Sequence, residues 1–166
     1  MANKNLIKMA KEHADNSVNA REIESVFALG EHKISAQEYK ALEDITALYE
    51  STPEMEYENE RIYVNNNAVT SLNITDRKLT ELPDSISNLK GLQELYVGFN
   101  NLQSLPDSIS NLKNLQTLYV FNNKYQSLPE SIGNLSSLRF LYASSNQFTN
   151  EEKNRIKKLF GDRVWV

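Results

Sequence analysis

The 166-residue chain contains no cysteine. Disulfides, thiolate metal sites and thiol nucleophiles are therefore all excluded. Its two histidines, His13 and His32, have no carboxylates around them at catalytic or metal-binding spacing and read as solvated surface residues. Among five glycines there is no glycine-rich phosphate loop. No stretch approaches the roughly 20 apolar residues that cross a bilayer. The N-terminus lacks the apolar core of a secretory signal. A cytoplasmic location is the default expectation, with export by a route other than Sec left open. The net charge of −4 is uneven: −6 over residues 1–68, zero over 69–150 and +2 over 151–166. With no basic stripe, a nucleic-acid partner lacks its electrostatic footprint. The glutamates at 54, 56, 58 and 60 read as a solvated linker rather than an acid/base pair or calcium site. The expectation is a protein that is not an enzyme and has no cofactor, metal or membrane span.

What the chain does have is a period. VTSLNITDRKLTELPDSISNLKG, LQELYVGFNNLQSLPDSISNLKN and LQTLYVFNNKYQSLPESIGNLSS follow one another, and LRFLYASSNQF begins a fourth copy. Val69, Leu92, Leu115 and Leu138 mark the same place at intervals of 23 residues. Such a period predicts a solenoid, whose coils cannot bury their apolar sides alone. Leu95 and Val97 alternate with polar neighbours as in a strand. Ile109 and Leu112 are spaced as on one helical turn. Each coil is thus a strand, a turn and a tight return, and stacking gives a parallel sheet with the leucines inward.

The flanks read as caps. Residues 1–50 are expected to be helical. Leu6, Ile7 and Ala10 share one face. Asn19 and Glu22 pair at the start of a second helix carrying Ile23, Val26 and Phe27 and stopped by Gly30. Ser35 with Glu38 forms a capping box for a third, with Tyr39, Leu42, Ile45, Leu48 and Tyr49 on its apolar face. Residues 51–68 hold the acidic linker, a short strand at Ile62, Tyr63 and Val64 that pairs with the first repeat, and a turn at Asn65–Asn67. The repeats span 69–148. In 149–166 a second capping box, Thr149 with Glu152, opens a helix with Ile156, Leu159 and Phe160 inward. Gly161 ends it, and Val164–Val166 form a final strand or apolar tuck.

The repeats resemble the leucine-rich repeat family, pattern LxxLxLxxNxLxxLPxxIxxLxx, over about residues 69–148. The ending NQFTNEEKNRIKKLFGDRVWV is similar to the C-terminal cap of its bacterial members. The resemblance implies an α/β fold. It would be a short solenoid with its parallel sheet on the concave face, preceded by a helical segment and closed by a capping helix. It also implies that Asn100, Asn123 and Asn146 bond backbone groups between coils. Arg77 takes that place in the first repeat, whose turn is therefore expected to be irregular. Pro83, Pro106 and Pro129 set φ where the chain turns to the convex side.

On the concave sheet, residues between the leucines face outward. Tyr96, Tyr119 and Tyr142 then form one column about 4.8 Å apart, headed by Asn73. Phe99, Phe121 and Phe140 take other outward places. Exposed aromatic clusters mark binding sites. These six residues are the expected contact surface for a protein or peptide, with self-association also possible. Tyr119 and Phe121 are expected to be replaceable by alanine at little cost in stability. Two plainer readings stand beside it: copying by duplication, and rings that merely stabilise the sheet. Two other functions compete. Either the helical segment carries the specific contact and the array recruits it, or the rings stack on carbohydrate, helped by Glu94, Gln93 and Gln116. Four or five strands, about 20 Å, would offer about half of a standard interface. That suits a peptide, loop or helix.

Overall fold

A computed structural model describes residues 27–29, 32–48 and 61–166. The expected first helix, the second from Asn19 through Val26, Gly30, Tyr49 and the linker through Glu60 lie outside the described residues. Strands β1 (Phe27–Leu29) and β2 (His32–Ile34) pair as an antiparallel hairpin, with Leu29 opposite His32. Phe27 therefore belongs to a strand, not to the end of a helix. A run as short as Val26–Leu29 fits either period, and cross-strand pairing decides.

Ser35 caps α1 (Ala36–Ala47) with both halves of its box formed. Glu38 does more than close that box. Buried, it accepts from the Ser35 amide and hydroxyl through one carboxylate oxygen, and from the Val69 amide at 3.0 Å through the other. In later coils the equivalent amides of Leu92, Leu115 and Leu138 donate to the carbonyls of Leu89, Leu112 and Leu135. Glu38 thus serves the first coil, which has no such carbonyl before it. Ile34, Ala41, Leu42 and Ile45 join one core with the repeats, and α1 packs against the first 3₁₀ return. The Asp44 carboxyl faces that return. The Lys40 ammonium holds it below the usual carboxylate range.

Strand β3 (Arg61–Asn65) pairs antiparallel with β4 (Ala68–Asn73) through a two-residue turn. Asn66 and Asn67 both have positive φ, 49° and 59°, as a type I′ hairpin turn requires and asparagine tolerates. From β4 the sheet runs parallel through β5 (Glu94–Tyr96), β6 (Thr117–Tyr119), β7 (Phe140–Tyr142) and β8 (Val164–Trp165), giving six strands in sequence order. It therefore spans about 24 Å at the usual strand spacing, one strand more than the sequence suggested. Each proline at 83, 106 and 129 sits in extended backbone just before a 3₁₀ helix, Asp84–Asn88, Asp107–Asn111 and Glu130–Asn134. These helices form the convex side. There Ser108 donates to Asp84 at 2.8 Å and Ser131 to Asp107 at 3.0 Å.

The asparagines link the coils. Asn100 accepts from the amides of Arg77 and Leu79 and donates to the carbonyls of Ile74 and Val97. Asn123 and Asn146 do the same in the next two coils, accepting from the amides of Leu102 and Tyr125 and donating to the carbonyls of Val97 and Val120. Each amide occupies buried turn donors and acceptors that no strand reaches. The first turn is irregular: Lys78 takes a φ of 58°, which its counterparts in later coils do not share.

The last coil is closed by α2 (Asn150–Phe160). Thr149 accepts from the Glu152 amide, but the expected second half of the box is absent. The Glu152 carboxylate instead accepts from the Leu128 amide at 2.8 Å and from Arg155, whose guanidinium donates to the Leu128 carbonyl at 2.7 Å. The pair thus satisfies both backbone groups of Leu128. Arg155 first, then the Leu128 amide, hold the Glu152 carboxyl below its ordinary range against burial. Ile156 and Phe160 are buried, but Leu159, expected inward, is 43% exposed.

Candidate functional site

The register places Asn73, Tyr96 and Tyr119 on adjacent strands, then Tyr142 and Trp165. Leu72, Leu95, Leu118 and Leu141, one residue earlier, are buried, so strand alternation turns the aromatic column outward. The rings stack nearly parallel. Centroids are 4.4 Å apart from Tyr96 to Tyr119 and from Tyr119 to Tyr142, and 4.6 Å from Tyr142 to Trp165, with interplanar angles of 11°, 3° and 9°. The ladder has four rungs where the sequence suggested three. Trp165 lies 23 residues after Tyr142, so the period itself runs on through the cap.

The ladder conceals its ring faces against one another, and the three tyrosines are half-buried. The Tyr96 hydroxyl donates to Glu94 at 3.2 Å. Burial, and then the Glu94 charge, push the Tyr96 phenol up to about 12. Burial, and then Tyr142, raise Tyr119. At neutral pH both stay protonated and present hydroxyl groups along the rim of the stack.

The exposed rings stand beside the ladder. Phe140, 43% exposed, approaches Tyr142 at 6.4 Å and Trp165 at 6.2 Å. Phe121 follows Tyr119 by two residues, its ring against Gly98. A Cβ at Gly98 would lie 2.9 Å from that ring, so glycine makes the seat. Phe99 meets Phe121 edge-on at 5.0 Å. It is 50% exposed and has a φ of 52°, as do its counterparts Asp76, Asn122 and Ser145 at 53° to 58°. Short polar residues tolerate this left-handed region; a bulky ring there is strained. Tyr63, 53% exposed, pairs with Ser71 and lies on the same face at the first edge of the sheet. The sequence reading passed over it as a contact residue.

All six expected site residues thus sit on or beside one sheet face, in two roles. Tyr96, Tyr119 and Tyr142 belong to a self-packed stack and Phe121 is packed against Gly98 and Phe99, while Phe99 and Phe140 project. Tyr119 lies between two rings, so its replacement is not free of cost. Among the described residues no cluster of ligating side chains could hold a metal, and no helix is long and apolar enough to cross a membrane. His13 lies outside them.

Residues 67–160 match the model of a leucine-rich repeat region. The chain belongs to the leucine-rich repeat family. A leucine-rich repeat protein of Leptospira interrogans is 37% identical, with a TM-score of 0.57; the match covers 58% of this chain and 25% of that one. The present leucine-rich repeat chain therefore spans about a quarter of that protein. The ectodomain of the Arabidopsis thaliana receptor kinase SOBIR1 is 28% identical, with a TM-score of 0.54, covering 69% of this chain and 70% of the other. No curated protein matches.

Proposed function

We propose that this leucine-rich repeat chain is a non-enzymatic module that binds a protein or peptide on its concave face. One observation carries the reading. Of five large apolar side chains exposed among the described residues, Tyr63, Phe99, Phe140, Trp165 and Leu159, the first four line that sheet or its rim. Holding aromatic surface in water costs free energy that a partner regains. Phe99 adds backbone strain while half of its surface stays in water, a combination that favours a contact role. A carbohydrate stacked along the ladder is poorly supported, because the interior ring faces cover one another and only the two end faces, of Tyr96 and Trp165, are left. The alternative contact through residues 1–50 finds no support in α1, the described helix of that segment, since its apolar side is spent on the core.

The test is capture of a partner from source-cell extract. Phe99→Ser with Phe140→Ser should abolish capture, whereas Leu159→Ser, equally exposed on α2, should not affect it. Equal capture by all three proteins removes the concave face from consideration.

A further inference from the structure

The concave face is nearly free of charge, although 24% of the chain is charged. Over the four coils, the outward strand positions carry one carboxylate, Glu94, and no base; the next carboxylate, Asp76, stands at the rim in the place that Phe99 takes one coil on. The only base in the six strands is Arg61, at the start of β3 and two strands from β5. Arg139 stands one residue before β7, two strands away on the other side. Glu94 is half-buried, and its one polar contact among the described residues is the Tyr96 hydroxyl at 3.2 Å.

A partner laid over this face takes Glu94 out of water. A carboxylate desolvated without a cation is strongly unfavourable, whereas one met by a hydrogen-bonded cation is not. An all-apolar or acidic occupant is thereby penalised at one point of the surface. Beside that point, Tyr96 is the first rung of the ladder. One of its ring faces is packed on Tyr119, and the other, toward Asn73, has no ring against it among the described residues. A guanidinium there can bond the carboxylate with its fork and stack its plane on the Tyr96 ring, on the side where the neighbour is Asn73, whose side chain accepts from the Thr75 amide at 3.0 Å. Lysine matches the charge but not the plane. The neighbouring exposed rings, Phe99 on one side and Phe140 with Trp165 on the other, take apolar residues.

We infer that the occupant is a peptide segment anchored by a single arginine on Glu94 and Tyr96, flanked by apolar side chains. This rests on the concave-face reading above and narrows it to one partner chemistry.

A displayed library of random 12-residue peptides, panned against the intact chain, tests it. The expected result is an arginine at one fixed position between apolar residues. Recovered peptides should bind Glu94→Gln roughly 10- to 100-fold more weakly. They should also lose affinity in high salt and when arginine is replaced by citrulline. Panning against Glu94→Gln should lose the arginine, and panning against Arg61→Gln should keep it. Peptides without a base, or with arginine equally enriched on Glu94→Gln, overturn the anchor but leave the face standing. Peptides that bind the Phe99→Ser, Phe140→Ser protein as well as the parent overturn the face itself. No enrichment, with a parent protein that sediments as a dimer and a Phe99→Ser, Phe140→Ser protein that does not, assigns the face to a second copy and overturns the peptide. No enrichment with a monomeric parent overturns it as well.

Discussion

Replacing Tyr119 by alanine should destabilise the fold measurably, because its ring is the middle of the ladder. It stacks at 4.4 Å on both Tyr96 and Tyr142, and aromatic pairs contribute about 0.5–1.5 kcal/mol each beyond area burial. Losing two pairs costs about 1–3 kcal/mol, before the loss of contact with the sheet. For a chain of this length that lowers Tm by about 2–4 °C per kcal/mol. Chemical denaturation followed by far-UV circular dichroism gives the stability, with Tyr119→Phe as a control that keeps both stacks and should remain within about 0.5 kcal/mol of the parent. A double-mutant cycle with Tyr142→Ala isolates the pair and should return a coupling of about 0.5–1.5 kcal/mol. A Tyr119→Ala protein as stable as the parent, with no coupling to Tyr142, refutes the assignment of the ladder as a structural element.

Three further outcomes follow from single residues. Phe99→Asn should be about 1 kcal/mol more stable than Phe99→Ala, since both lose the ring but asparagine accepts the left-handed backbone, as Asn122 does; equal denaturation midpoints would argue against strain there. Tyr125 is fully buried where Leu79 and Leu102 stand in earlier coils, its hydroxyl has no hydrogen-bond partner among the described residues, and burial raises its phenol pKa. Tyr125→Phe should therefore stabilise by about 1–3 kcal/mol, and a loss of stability would reveal a partner for that hydroxyl. The Glu152 carboxyl is depressed in the folded state, so its contribution is full above the unfolded value of about 4.3 and disappears as pH falls through the lower folded value. Asp44 and Glu151 shift in the same direction, so the parent should be compared with Glu152→Gln between pH 7 and 3: the stability gap between them should narrow as pH falls, and a constant gap would contradict the bonds to Leu128 and Arg155.

The coil interior was legible because stacking repeats every choice. A leucine at intervals of 23 residues has nowhere to go but beside its counterpart, and an asparagine at the turn has one set of backbone groups within reach. The ladder was legible for the same reason, and Trp165 lay at the next interval, with Val164 in place of Leu141. Tyr63 was less accessible. Its place between Ile62 and Val64, which pack against the core, turns it outward by alternation, but the register shift between Tyr63 and Val64 that sets it opposite Ser71 rather than Thr70 has no mark in the sequence. The ring stacking that divides the six expected contacts into packed and projecting residues depends on side-chain geometry, which no spacing states. The roles of Glu38 and Glu152 were half visible. Both have capping-box spacing, but which backbone amide a carboxylate reaches across the stack depends on where the cap docks.

Trp165 is the chain's single tryptophan, stacked on Tyr142 at the end of the ladder and 45% exposed. Its emission therefore reports on that end of the concave face. Titrating the captured partner into the protein should shift that emission, saturating at the concentration where binding measured by calorimetry saturates. Calorimetric binding with an unchanged tryptophan spectrum would place the contact elsewhere and contradict the account.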